Sequence, residues 1–325
     1  MAKYVLKRLL LMIPVILFVA IMIFTIMYFV PGDPASLILG SSATEEQLIA
    51  KRIELGLDQP YHIRLFDFLK NLILRFDFGS SFTTKTAVTA ELLQRFPRTL
   101  IIAGVAMLLS VLVGVPLGIV SAVHQDTVLD RVTMVGAVVG SSMPTFWIAM
   151  LMVLLFSLKL GWLPASGMTS AACFVLPCLA ESLGGIANLA RQSRSSMLEV
   201  IRSDYVTTAR AKGLSEMKVI FGHALPNALL PIISVLGGRL GMTLGGSLVI
   251  EQVFSIPGVG MYLISAVNNR DYPVVQGCVV FLAIVFSLVM LLTDLCYAAV
   301  DPLIRAQYTS GSAKVSKRKV SINGK

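Results

Sequence analysis

Residues 100–123 read LIIAGVAMLLSVLVGVPLGIVSAV, without one Asp, Glu, Lys or Arg. A helix rises about 1.5 Å per residue, so about 20 apolar residues cross the hydrocarbon core of a bilayer. In lipid the backbone is satisfied only in a helix or a closed barrel. The run shows no alternation of apolar and polar residues, the pattern a barrel strand needs. It reads as a membrane-spanning helix.

The rest of the chain repeats this pattern. Runs 9–30 and 132–158 are also free of charged residues. Runs 171–190, 228–250 and 274–300 carry one charge each: Glu181, Arg239 and Asp294. Apolar residues make up 56% of the chain and charged residues 14%, too few to cover a soluble domain of this length. The expectation is an all-α integral membrane protein with about six transmembrane helices. The first run exceeds the roughly 7–15 apolar residues of a leader peptide and lacks an A-x-A cleavage site, so it is expected to stay.

Short loops set the orientation. Lys3, Lys7 and Arg8 precede the first run. Arg131 follows the second; Arg191, Arg194, Arg202, Arg210, Lys212 and Lys218 follow the fourth. Arg305, Lys314, Lys317, Arg318 and Lys319 follow the sixth. The opposite short loops carry little, Lys159 and Arg270. Both termini are expected inside. The net charge of +9 is this bias plus a basic tail, not a nucleic-acid patch.

Four parts are expected: an N-terminal segment and first span (1–30), an extracytoplasmic subdomain (31–98), a transmembrane core (99–308) and a disordered basic tail (309–325). In the subdomain, Thr44 and Gln47 form a capping box that opens an amphipathic helix, with Gly56 as its stop. The subdomain has too few apolar residues for its own core, so it is expected to lie on the membrane face of the protein. Within the core, the loop 191–227 is polar but patterned. Met197, Ile201 and Tyr205 form a helical stripe that runs on to Arg210 and Lys212. Gly213 stops that helix, Ser215 caps a short second one over 216–221, and Pro226 ends the unit. A compact helix–turn–helix is expected. In the fifth run Gly237, Gly241 and Gly245 form a small-xxx-small stripe, for static packing or for a moving pore-lining helix.

Several chemistries have no support. There is no G-x-x-x-x-G-K-[ST] phosphate loop and no H-E-x-x-H. His62, His124 and His223 are far apart in sequence. Cys173, Cys178, Cys278 and Cys296 form no C-x-x-C pair and read as small packing residues. Ala165-Ser166-Gly167 lacks the first glycine of an intramembrane serine protease motif, since Pro164 stands before it. On these features alone a secondary transporter remains open, because six spans with a few intramembrane charges suit one.

A longer motif separates these readings. Asp204-Tyr205-Val206-Thr207-Thr208-Ala209-Arg210-Ala211-Lys212-Gly213-Leu214-Ser215, followed by His223-Ala224-Leu225-Pro226-Asn227, resembles the EAA loop of ABC importer permeases. Thr207, Thr208 and His223 replace the general motif's glutamate, alanine and isoleucine. The T-A-R-A-K-G form resembles the dipeptide/oligopeptide/nickel branch. Supporting motifs are Gly32-Asp33-Pro34, Leu55-Gly56-Leu57-Asp58-Gln59-Pro60 and Asp77-Phe78-Gly79-Ser80-Ser81. Glu251-Gln252-Val253-Phe254-Ser255-Ile256-Pro257-Gly258-Val259-Gly260, Arg270-Asp271-Tyr272-Pro273 and Asp301-Pro302 continue the likeness, with Leu303 where the family usually has arginine.

The resemblance implies a type I ABC importer permease arrangement in a bacterial inner membrane. It implies a second homologous permease, two ATPase subunits and an extracytoplasmic substrate-binding protein. ATP and Mg are then held by the ATPases, and this chain needs no cofactor, catalytic residue or metal. Coupling to the ATPase is expected from Thr207 to Ser215, with His223 and Pro226. Ser255, Pro257, Gly258, Val259 and Gly260 are candidates for the binding-protein contact. Arg239 and Met242 are candidates for the translocation path. For Arg239 the alternative is a buried pair with Glu181 or Asp294. Peptide is the expected solute, with nickel or a metal–chelator complex as the alternative.

Overall fold

The computed structural model describes residues 2–40 and 42–300, and the tail expected over 309–325 lies outside them. Helix α1 (Ala2–Phe29) contains all but the last residue of the first apolar run. Asp33 then caps α2 (Pro34–Leu39), accepting from the Ala35 N–H at 3.1 Å, with Pro34 in the first turn where no donor is needed. α3 (Glu45–Glu54) opens on the capping box read from the sequence. Thr44 Oγ1 accepts from the Gln47 N–H, and Gln47 Oε1 accepts from the Thr44 N–H. α4 (Tyr61–Arg75) stops at Phe76, which is left-handed at φ 51°.

α3 buries no residue, and Ile49 and Ile53 of its expected apolar face are exposed. The subdomain's apolar side chains instead share a core with two spans. Leu72, Phe78 and Leu92 are buried with Ala20 and Met27 of α1 and with Val274 and Cys278.

α5 (Val88–Leu109), a π turn (Ser110–Gly114) and α6 (Val115–Val123) form one apolar helix, Val88–Val123. The π turn lies directly before Pro116. A proline cannot donate to the preceding turn, and the widened turn accommodates that loss without ending the helix.

The run 132–158 departs from expectation. It is two helices, α7 (Val128–Ser142) and α8 (Thr145–Met152, continued by the π turn Val153–Lys159), bent by 100°. Met143 is extended, with ψ 132°, because the ring of Pro144 disfavours helical geometry in the residue before it. Among the described residues five helices are long and apolar enough to cross a membrane, and the bent pair makes up to six.

α9 (Val175–Ile201), entered through a 3-10 turn (Ala171–Phe174), is central and packs against α5, α6, α7 and α8. A short helix, α10 (Asp204–Ala211), is followed by α11 (Glu216–Lys218), which runs on through a π turn into α12 (Leu225–Val253), and α12 packs on α9. α13 (Val259–Asn268) and α14 (Tyr272–Val300) complete the bundle, α14 lying against α1 and α12. Chain direction therefore gathers the ends of α6 and α9 and the start of α12 at one pole. The starts of α5 and α14 and the end of α12 meet at the other.

Candidate functional site

The loop at the first pole is built outward from Ser203, whose extended backbone starts α10. Gly213 follows at φ +77°, and its N–H bonds the Arg210 carbonyl at 2.9 Å. A Cβ there meets nothing within 4 Å, so backbone conformation alone selects glycine. Arg210 crosses the turn to Glu216, Nε to Oε1 at 2.8 Å. Val206 and Ala209 of α10 are buried with Met197, Val219, Ile220 and Ala224, and with Ile119 and Ala122 of α6. The loop thus has its own core, seated on the ends of two spans.

Two local readings need correction. Ser215 stands at the N-cap of α11, but its hydroxyl makes no capping bond. The second helix is not short: from Glu216 it passes through a π turn (Val219–Ala224) into α12, so Pro226 lies inside a continuous helix. As at Pro116, the π turn precedes the proline and accommodates its missing donor. Asn227 Nδ2 bonds the Tyr205 hydroxyl at 2.8 Å and the His223 carbonyl at 3.3 Å, tying α10 to α12. Of the predicted coupling residues, Thr207, Thr208, Arg210, Ala211, Lys212, Gly213, Ser215, His223 and Pro226 are exposed, Ala209 is buried and Leu214 is half-buried. Met217 and Phe221 add large apolar side chains to that exposed surface.

Sequence reasoning missed the residue that anchors this pole. Asp130 is buried and takes Arg194 in a two-pronged pair, Nε–Oδ1 at 2.6 Å and Nη2–Oδ2 at 2.7 Å. The Ser121 hydroxyl and the Asp126 N–H also donate to it. One carboxylate therefore holds α6, α7 and α9 together. Its only sequence signal is its place beside Arg131, just before the apolar run 132–158.

Above the loop, between α9 and α12, lies a cavity of about 470 Å³. Both path candidates, Arg239 and Met242, line it, with Asn188, Arg191 and Gln192. Among the described residues Arg239 belongs to no ion pair. Asp294 is taken by Arg8 at 3.1 Å, which removes one of the two expected partners. Glu181 lies within electrostatic range of Arg239 without an ion pair. A lipid-facing arginine at mid-span costs at least about 2.5–3.5 kcal/mol, and the cavity removes that cost. The glycine stripe divides. Gly237 packs on Thr293 and Gly241 on the Phe286 ring, both of α14, whereas Gly238 and Gly245 face open space.

At the second pole, the buried Glu251 accepts from Thr99 Oγ1 at 2.5 Å and from the Met261 N–H at 2.9 Å. Thr99 Oγ1 in turn accepts from the Val259 N–H at 3.0 Å. Arg98 Nη1 donates to the Pro257 carbonyl at 2.9 Å. This network folds the loop 255–260 inward. Gly258, Val259 and Gly260 are buried, leaving Ser255 exposed and Pro257 half-buried. Nearby, Asp271 accepts from Ser81 Oγ at 2.5 Å and from the Phe82 N–H at 3.0 Å, joining two motifs almost two hundred residues apart.

The comparisons with known proteins agree with this architecture. Residues 114–306 match the family described as binding-protein-dependent transport system inner membrane component, and residues 1–103 match the N-terminal component of such systems. The chain belongs to this family of transport permeases. It is a permease subunit of an ABC importer, and the secondary-transporter alternative falls away. The permease is 42% identical over 305 residues to the glutathione transport system permease protein GsiC of Salmonella typhi, covering 94% of this chain and 99% of that one. It is also 42% identical, over 313 residues, to a Brucella abortus protein named for a peptide transport system permease, with the same coverage. Its fold is shared with a structure of the MetNI methionine ABC transporter in inward facing conformations. The TM-score is 0.56 at 20% identity, covering 66% of this chain and 97% of that chain.

Proposed function

We propose that this permease forms half of a path for short peptides across the bacterial inner membrane, paired with a second, related permease. A substrate-binding protein delivers the solute, and two separate ATPase subunits hold ATP and Mg. Both termini and the loop 207–226 face the cytoplasm, and the loop seats in an ATPase groove. The observation that carries this reading is the loop itself: a surface with its own core, fixed to the ends of α6 and α9 and continuous with α12. Movement imposed on it passes into those spans as rigid-body motion. The names of the relatives support peptide as the solute. The second pole, with Ser255 and Pro257 at its surface, receives the binding protein.

Gly213→Asp tests the coupling. It forces a side chain into left-handed backbone and adds a charge to the contact surface. In the reconstituted transporter we expect peptide uptake and binding-protein-stimulated ATP hydrolysis to fall at least tenfold, with the membrane level of the chain unchanged. Wild-type values for both would refute the coupling role.

A further inference from the structure

We propose that the cavity between α9 and α12 is an anion stop in the translocation path, where Arg239 holds a side-chain carboxylate of the passing peptide and Arg191 attracts it. The inference rests on the importer reading above and narrows its substrate class to peptides carrying an acidic group.

Three observations carry it. Among the described residues, the cavity's charged lining is two guanidinium groups, from Arg191 and Arg239, and no carboxylate. Its neutral polar lining comes from the amides of Asn188 and Gln192. Asn188 Nδ2 is fixed to the Gly184 carbonyl at 2.7 Å, which leaves its amide oxygen for a solute N–H. The Arg239 guanidinium is also positioned rather than loose. It lies across α9 at two glycines: a Cβ at Gly184 falls 2.9 Å from Nη2, and one at Gly185 falls 3.7 Å from Nε. The helix surface is thus cut away where the cation rests. Among the described residues Asp294 is committed to Arg8 and no acid pairs with Arg239, so its donors remain for a planar carboxylate, which a guanidinium binds through two parallel bonds. Met242, 71% exposed, borders the cavity beside these groups and adds a soft apolar wall for side chains of varied shape.

The test uses the complete transporter in proteoliposomes, with two probes of nearly equal shape, alanyl-glutamate and alanyl-glutamine. Wild type and variants are loaded with the same binding protein at saturation, so a change in the ratio of maximal rates reports the path. Arg239→Gln is expected to reduce alanyl-glutamate uptake at least tenfold relative to alanyl-glutamine, and Arg239→Lys to restore most of it. Met242→Glu, at an exposed position, is expected to lower the same ratio and keeps the proposal open to refutation should Arg239→Gln fail to insert. If the ratio is unchanged in Met242→Glu and in every Arg239 variant that inserts, the anion stop is wrong while peptide import stands. If wild type imports neither probe, the peptide reading falls and the anion stop falls with it.

Discussion

Single residues set the geometry of both poles. Gly213 is required by its φ of +77° and not by crowding. Substitutions there should follow left-handed tolerance: Asn retains more transport than Ala, and Ala more than Val, at equal membrane levels. A left-handed non-glycine residue costs about 1–2 kcal/mol, less for Asn. Uptake that instead follows side-chain volume, with Ala above Asn, would point to steric contact. Asp130 acts through charge. Its removal leaves Arg194, only 24% exposed at the side chain, facing an uncompensated site. Asp130→Asn should destabilise the purified chain by about 2–4 kcal/mol. Asp130→Asn combined with Arg194→Gln should cost clearly less than the sum of the two, as measured by thermal unfolding in detergent. Strict additivity would show that the pair is not coupled. Gly213 was legible in the sequence because a positive-φ stop follows from a helical stripe that ends. Asp130 was not, because a partner 64 positions away leaves no local pattern.

At the scale of elements, prolines and glycines decide what each apolar run becomes. Length and hydrophobicity located the spans. They did not locate the break at Pro144, although proline's effect on the preceding residue was readable there. Proline's helix-stopping tendency was instead read at Pro226, as the end of the loop unit, where a π turn lets the helix continue. A proline in an apolar run therefore marks a choice, and packing around it makes that choice. The stripe on α12 gives a sharper test. Gly241→Ala drives a methyl group into the Phe286 ring and should destabilise the purified chain by about 1–3 kcal/mol. Gly245→Ala meets nothing within 4 Å and should be neutral or stabilising by about 0.5–1 kcal/mol through helix propensity. Equal effects at the two positions would mean that α12 and α14 do not pack in this register.

For the whole molecule, the account joins two poles through one bundle. The first pole presents an exposed polar loop on its own core, and the second presents a loop folded inward by Glu251 and Thr99. The family motifs were legible as strings. Their pairing was not: Ser81 meets Asp271, and Thr99 meets Glu251, only once the spans are assembled. Burial also reassigns roles inside a motif. Val259, a contact candidate by sequence, is wholly buried. Ser255 and Asn269 are exposed at that pole, and the proposed contact with the binding protein is assigned to them. The central claim is that the loop around Gly213 meets the ATPase while the opposite pole meets the binding protein. Photocrosslinking from single exposed positions in the assembled transporter tests it most directly. Probes at Lys212 and Met217 should capture an ATPase subunit, and a probe at Asn269 should capture the binding protein. Failure of both loop probes to capture an ATPase, with capture from Asn269 instead, would contradict the account.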